Sequence, residues 1–537
     1  MPQWQFKLFE FEVTDMVDNN SDNQFSQGRD NKQFVVQMFG LDASGKTACI
    51  YVNDFKPFFY VKVDERWNNS ILTQFIAQIK EEIGKYYEFS LCKWRFVKHR
   101  KLYGFDDSKE HLFVELKFNN MAALNKVKYL WYTNNDKWSD RKLNPDGYEF
   151  NETATQLYEA NIPPLLRLFH IKNISPSGWI ALLHGKYKQH SKLNTTCDYE
   201  FSISYKKIVG LPNRDTRVPY KIMSFDIEAS SSHGDFPLAK KNYFKLASNI
   251  VDYTIKHNVA CDEELLTDII LSATGLGKPI NGIDKIYLKN EITMDEVKEC
   301  IKKIIQVIPG KIENYGVPIE DNQDDDDEID EDLGDTNTDE QNQTIEEVKK
   351  YKPRAVGHKN KSLTFLEMIN DVECNRTTRI IEITKCFGQH NPKKDNSWQG
   401  IFPEIEGDRV TFIGSSIVNN GEIIPYLKHC IATDTCDNID DVTIEAYNTE
   451  KEALLAWTAL VQRENPDIII GYNIHGWDFN FMYERCIQLG CLSKFCKLSR
   501  NKDEKCLKET WQGPNKPKKV SIEENSLYIA SLSLIHI

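Results

Sequence analysis

Residues 222–230 read IMSFDIEAS, and two carboxylates, Asp226 and Glu228, stand one residue apart in an otherwise apolar run. In an extended strand alternate side chains share a face, so Ile222, Ser224, Asp226 and Glu228 point one way and Met223, Phe225 and Ile227 the other. Like charges that close raise each other's pKa unless a cation lies between them, so the pair is costly alone and comfortable around a divalent metal. The same triplet also fits a plain solvent-facing strand end. Far downstream, PDIIIGYNIHGWDF sets Tyr472 and Asn473 after a buried-type strand and opens a helix at Asp478. Loops at the carboxyl ends of strands gather ligands in α/β sheets, and a carboxylate in the first helical turn is held by backbone amides. Asp478 can therefore be a metal ligand or simply a helix cap.

The elements that must position these residues can be read from periodicity. Strands are predicted at 34–39, 48–52 and 58–63, with a helix over 71–83, giving a β-rich α+β unit over 1–215. Within it KWRFVKHRK at 93–101 interleaves cations and rings, which suits either a surface that tracks a nucleic-acid backbone or a strand face with snorkelling side chains. A second unit over 216–531 starts with the DIE strand and is interrupted at 240–405. That insertion contains an amphipathic helix over 293–308, with Thr293 and Glu296 as a capping box and Pro309-Gly310 as its stop. Strand signals resume at 410–414 and 422–427, followed by a helix over 451–463 with Thr449 and Glu452 as a second capping box. A strand at 467–470 and a helix over 478–489, ended by Gly490, complete the pattern. The fold expected is a multidomain α/β and α+β chain.

Bulk properties narrow the class. At 537 residues with 40% hydrophobic residues the chain suits several well-filled cores. The opening MPQWQFKLFEFEV lacks a basic n-region followed by an apolar run, and no stretch reaches transmembrane length, so neither secretion nor membrane spanning is expected. Thirteen cysteines without a CxxC pair suit reduced thiols inside a cell, and the spacing of Cys486, Cys491, Cys496 and Cys506 is too wide for a zinc knuckle. Residues 320–340 carry 13 acids and no Lys or Arg, which accounts for the whole net charge of −13 and leaves a neutral remainder. Such a run is expected to be a disordered, dispensable loop.

SFDIEA followed far downstream by YNIHGWDF resembles the first two exonuclease motifs of the family B DNA polymerases, FDIE and YN-x-x-x-FD, with Trp477 where the family usually has Phe. QMFGLDASGKTACIYVNDFKPFFYVKV, SGWIALLHGKY and RVPYKIMSFDIEA look like the amino-terminal domain of the delta-type branch and its junction into the nuclease. KLYGFD at 101–106 and the bulky insertion look most like polymerases of large DNA viruses. The resemblance implies a β-rich amino-terminal domain followed by a ribonuclease-H-like 3′→5′ exonuclease domain with a mixed sheet. It implies hydrolysis by two divalent ions about 3.5–4 Å apart, Mg²⁺ or Mn²⁺ given the all-carboxylate ligand set. Asp226 would bridge both ions, Glu228 would hold the ion carrying the attacking water, Asp478 would complete the second ion's shell, and Asn473 would bind near the 3′ end. The implied partners are a single-stranded 3′ end and primer–template DNA, with a sliding clamp engaged elsewhere in the polymerase. The implied setting is intracellular, the nucleus or a cytoplasmic virus factory.

The family's third exonuclease motif, a Tyr three residues ahead of an Asp, has no match after residue 490, nor do the polymerase signatures DxxSLYP and YGDTDS. Leu532 to Ile537 resembles the translation of a sequencing-library transposase adapter, so the chain is expected to be the amino-terminal part of a longer frame with a six-residue scar at 532–537. A feeble nuclease is then expected, and no polymerase activity. The rival reading is a catalytically inactive, polymerase-derived DNA-binding or scaffolding module; a standalone exonuclease is a third, weakened by the absent motif.

Overall fold

The computed structural model describes residues 4–17, 30–101, 107–133, 142–231, 234, 236–309, 363–391, 397–506, 508–510, 520–522 and 528–532. The acidic run at 320–340 lies outside the described residues, as do 102–106 of the KLYGFD stretch and 533–537 at the end.

The amino-terminal part holds two sheets. Strands β1 (Gln5–Val17), β2 (Lys32–Leu41) and β3 (Thr47–Asn53) form the centre of the first. The predicted strands at 34–39 and 48–52 are the middles of β2 and β3. β4 (Phe58–Lys62), α1 (Asn69–Ile83), β5 (Leu91–Arg100), β6 (Glu110–Phe118) and α2 (Met121–Lys128) build most of the second, completed by β7 (Tyr148–Phe150) and β8 (Thr153–Tyr158) in the order β5-β6-β4-β8-β7. Dropping β7, the chain runs β-α-β-β-α-β with every neighbouring pair antiparallel, a ferredoxin-like arrangement that periodicity alone did not disclose. Helix α3 (Pro164–Lys172) leads back to β9 (Trp179–Leu182), β10 (Tyr187–Gln189), β11 (Tyr199–Ser204) and β12 (Ile208–Leu211). The first sheet then reads β10-β11-β3-β2-β1-β9-β12.

β13 (Lys221–Ser230) starts the next sheet. Between it and β16 (Arg409–Asn419) the insertion folds as a helical unit of α4 (Phe244–His257), α5 (Glu263–Thr274), α6 (Met294–Ile304), α7 (Phe365–Asn370) and α8 (Arg376–Phe387), with a hairpin of β14 (Gly388–Asn391) and β15 (Ser397–Gly400). It has its own core, where Tyr243, Ile250, Ile270, Ile301, Phe387 and Phe402 pack together. The Thr293–Glu296 capping box of α6 is present. The helix stops at Ile304, four residues before the predicted end at 308, and buries Val297, Ile301 and Ile304 while Met294 stays exposed.

The insertion enters and leaves at one point. Asp408 N donates to Leu238 O at 2.8 Å, and the buried Asp408 carboxylate accepts in return from Leu238 N at 2.9 Å and from Lys241 Nζ at 2.6 Å. Gly407 packs so closely on Ala239 that a Cβ would sit 2.0 Å from the Ala239 carbonyl oxygen. No larger residue fits there without moving backbone.

After β16 come β17 (Leu427–Thr433), β18 (Thr443–Tyr447), α9 (Glu450–Glu464), β19 (Ile468–Tyr472), α10 (Asp478–Gln488) and α11 (Leu492–Phe495), then a ribbon of β20 (Lys508–Thr510) and β21 (Val520–Ile522), and β22 (Tyr528–Leu532). The sheet order is β18-β17-β16-β13-β19-β22. β13 is antiparallel to β16 and parallel to β19, giving a mixed sheet of the ribonuclease-H-like kind with α9 and α10 packed on its core. The strand expected at 422–427 is a correction. Residues 422–426 form the turn into β17, with Ile423 96% and Ile424 77% exposed; pairing with β16 begins only at Leu427, after Pro425, which has no N–H to give a ladder. Cys486, Cys491, Cys496 and Cys506 are buried in the core of this sheet and form no disulfide with one another.

Candidate nuclease site

The alternation read from IMSFDIEAS is the alternation β13 shows. Met223, Phe225 and Ile227 are buried, while Asp226 and Glu228 are exposed on the other face. Opposite Glu228 the β13–β16 ladder carries a bulge, where Phe412 pairs with Glu228 and Val410 with Ala229; the unpaired Thr411 hydroxyl donates to the Glu228 carbonyl at 3.0 Å. Bulges of this kind bend a strand and re-aim the side chains beside them.

β19 runs beside β13 in the same direction, so the loop after β19 comes out next to Asp226. Three features fix its path into α10. Gly471 passes so close to β13 that a Cβ would lie 2.2 Å from Ile474 Cγ2 and 3.0 Å from the Phe225 carbonyl oxygen. Asn473 takes the left-handed conformation, φ 47°, and its carbonyl accepts from Gly476 N at 3.0 Å and Trp477 N at 2.9 Å. Ile474 then tucks fully into the core. Gly471→Ala should cost about 1–3 kcal/mol through this overpacking. Urea unfolding checks it, and a loss well below that range would mean the loop shifts freely.

Asp478 opens α10, yet it does not cap it: Trp477 holds the cap position and no side chain there makes a capping bond. The Asp478 carboxylate reaches across to β13 and accepts from Ile227 N at 3.2 Å, at 1% exposure. Burial, then the charge of Asp226 and a hydrogen bond with it, push the Asp478 carboxyl up to about 7. Asp226 and Asp478 are thus brought together. Glu228 shares the strand face two residues on, and among the described residues no three His, Cys, Asp or Glu side chains are grouped to hold a metal ion. Asn473 lies at the turn five residues ahead of Asp478. Trp477 packs its ring on Phe236, centroids 4.7 Å apart, and on Phe481 at 5.1 Å. Phe236 is 66% exposed, so the site has an aromatic edge.

Behind the site lies a polar core that sequence patterning missed. Arg485, fully buried near the far end of α10, donates from Nε to Glu450 Oε1 at 2.9 Å and from Nη2 to Glu450 Oε2 at 2.6 Å. Glu450 also accepts from Val410 N at 3.0 Å. Arg485 Nη1 donates to Gln488 Oε1, which also accepts from Gly407 N at 2.9 Å, while Gln488 Nε2 donates to Glu404 Oε1 and Ile405 O, each at 2.9 Å. One network ties the Asp478 helix to α9, to β16 and to the end of the insertion. Its members are up to 84 residues apart in sequence, so no local pattern marks them.

A family model described as "DNA polymerase family B, exonuclease domain" matches residues 155–298 and 392–527, so the gap in the match falls within the insertion. The DNA polymerase of Phaeocystis pouchetii virus is 37% identical over 98% of this chain and 50% of its own length. That of Pyramimonas orientalis virus is 26% identical over 90% of this chain and 36% of its own. The DNA polymerase delta catalytic subunit of Arabidopsis thaliana is 22% identical over 45% of this chain and 22% of its own. The chain thus spans about half the length, or less, of these curated relatives. With the matched segments holding β13 on one side of the insertion and α10 on the other, the chain belongs to DNA polymerase family B, and Asp226 and Asp478 meet inside its exonuclease domain.

Proposed function

We propose that this chain removes nucleotides from the 3′ end of a DNA single strand, as the proofreading part of a polymerase that replicates DNA. Residues 216–531 would be the exonuclease unit and 1–215 the amino-terminal unit. The observation that carries the reading is the meeting of Asp226 and Asp478. A buried carboxylate, Asp478, whose ionisation is opposed by its burial and by the charge of Asp226, forms with Asp226 an all-oxygen donor pair that a hard divalent cation would relieve.

Mg²⁺ or Mn²⁺ would be held by Asp226 and Asp478 with Glu228 on the same strand face, and when bound would activate water and stabilise the leaving oxygen. The chain's own residues do the positioning. Ile227 N fixes the Asp478 carboxylate, so a ligand on a helix is set against a ligand on a strand. Asn473 offers a neutral hydrogen-bonding side chain beside the 3′ end, and the Trp477–Phe236 edge gives a base an apolar surface. The whole protein would act on primer–template DNA in the nucleus or a cytoplasmic virus factory, with a sliding clamp engaged through the part of its relatives this chain does not span.

The test is Mg²⁺-dependent release of nucleotides from a labelled single strand. Slow release from the 3′ end is expected, falling by about 10³-fold in Asp226→Ala, since a charge placed for the transition state is lost. Release no faster than in Asp226→Ala would favour an inactive DNA-binding scaffold.

A further inference from the structure

The helix that carries Asp478 at its first turn ends in a tight motif at its last. Cys491 N donates to Cys486 O at 2.9 Å and Gly490 N to Ile487 O at 3.1 Å, around Gly490 in the left-handed conformation at φ 65°. This pair of bonds is the Schellman ending, in which the residue just past the glycine folds back onto the residue five positions before it. The contact that forms there is usually between two apolar side chains; here both residues are cysteine. Cys491 is held from the other side too, its carbonyl accepting from Lys494 N at 2.9 Å and Phe495 N at 3.1 Å as α11 begins.

These bonds set the two residues at disulfide range. With the fixed lengths from each Cα to its own O or N, a 2.9 Å bond between Cys491 N and Cys486 O keeps the two Cα atoms within about 6.8 Å even if every atom lay in line. That limit is the widest Cα spacing a disulfide commonly bridges. The side chains also meet, the Cys486 thiol donating to the Cys491 sulfur. This hydrogen bond, with the charge of Lys451 behind it, holds the Cys491 thiol below its ordinary value against its own burial, while burial pushes the Cys486 thiol well up. Cys486 is 0% exposed and Cys491 3%, and Gly490, Ser493 and Lys494 beside Cys491 in sequence are exposed, so Cys491 stands at the rim of the core.

We propose that Cys486 and Cys491 are a reversible redox pair, closed to a disulfide by a peroxide and reopened by a thiol reductant, which clips the end of the Asp478 helix. Cys491 reacts first, as the thiolate: its sulfur attacks one oxygen of hydrogen peroxide, the O–O bond breaks, hydroxide leaves and is protonated to water, and Cys491 becomes a sulfenic acid. The Cys486 sulfur then attacks the Cys491 sulfur, the S–S bond forms, the S–O bond breaks and water leaves with the Cys486 proton. The two thiols together lose two electrons and the peroxide is reduced to two waters. The ring that results spans the last turn of α10, next to Arg485. None of this depends on the nuclease reading.

The competitor is the neighbouring pair, since Cys506 N donates to Cys496 O at 2.8 Å. Trypsin separates the two possibilities: cleavage after Arg485 and Lys494 releases residues 486–494, which hold Cys486 and Cys491 and no other cysteine, whereas Cys496 and Cys506 fall in different peptides. The full chain is treated with millimolar hydrogen peroxide, alkylated with iodoacetamide, digested and weighed. Peptide 486–494 should appear unalkylated and lighter by two hydrogens, and should take up two alkyl groups when dithiothreitol precedes alkylation. The oxidised protein should melt about 4 °C or more above the reduced one, because the closed loop restricts the unfolded chain. Cys486→Ser keeps a hydroxyl to donate to Cys491 but offers no second sulfur, so oxidation should stop at a sulfenic acid that dimedone traps on Cys491; in Cys491→Ser, Cys486 should stay unmarked. Circular dichroism checks that both variants fold, and the wild-type peptide decides the matter if they do not. Two alkyl groups on the peptide after peroxide, a bridge from it to Cys496 or Cys506, a Cys496–Cys506 bridge in its place, or a midpoint that fails to rise would each overturn the proposal.

Discussion

Arg485→Leu is expected to lower the stability of the exonuclease unit by about 3–5 kcal/mol, because removing one partner of a buried ion pair leaves the other uncompensated. Glu450 would keep only the Val410 amide, deep in the core at 4% exposure. Gln488 and Gly407 would lose their common neighbour as well. Pairing the change with Glu450→Gln should recover part of the loss, since the stranded charge goes. Urea unfolding followed by circular dichroism, with amide exchange along α10, measures both. A single variant within about 1 kcal/mol of wild type would show that water reaches the pair and that its burial means little.

Asp478→Asn is expected to do two opposite things. Nuclease activity should fall by about 10³-fold, as for Asp226→Ala. The metal-free protein should nevertheless become more stable at about pH 8, with a thermal midpoint about 2–4 °C higher. The sign follows from the raised pKa. In the unfolded chain the group ionises near about 3.9; in the fold it does so only at about 7. Folding favours the protonated form, so its contribution is complete below the unfolded pKa and is lost as pH rises through the folded one. Asn removes the charge that costs stability above that range, and the gain should shrink as pH falls and vanish at about pH 2–3, below the unfolded pKa, where Asp478 is protonated in both states. Millimolar Mg²⁺ should raise the midpoint of wild type at the higher pH and do little for the variant. Equal midpoints with and without Mg²⁺ in wild type would count against metal binding at this pair. Sites that need opposed charges give up stability for function, and this one is predicted to show it directly.

How far the sequence revealed this architecture depended on the range of each interaction. β13 was legible because a strand one face of which is buried repeats every second residue, and Asp226 and Glu228 fell on the polar phase. The caps at Thr293 and Thr449 were legible because a capping box is complete within four residues, although Thr449 meets Glu452 through its hydroxyl. The turn at 422–426 deceived because Ile423 and Ile424 have strand-type side chains, and nothing local says that both face solvent. The meeting of Asp226 with Asp478, 252 positions later, was legible only through resemblance to a family. Arg485, Gln488, Glu450 and Gly471 resemble nothing distinctive, and their importance comes wholly from what the fold sets against them.

The clamp between Leu238 and Asp408 has a consequence for the length of this protein. Closing a loop costs conformational entropy that grows with the logarithm of its length, about 0.6 kcal/mol for each doubling. Here β13 and β16 do not bear that cost as one loop of some 170 residues, since the helical unit closes it through its own core and hands back two ends already joined. The sheet is therefore insulated from what is spliced in beyond the clamp. Residues can be gained or lost between α6 and α7 with the β13–β16 register unchanged, whereas a single added residue between Ala239 and Gly407's contact point and the sheet would be felt at once by Arg485. The join is a port, at which a lineage can add or exchange a module without redesigning the nuclease around it.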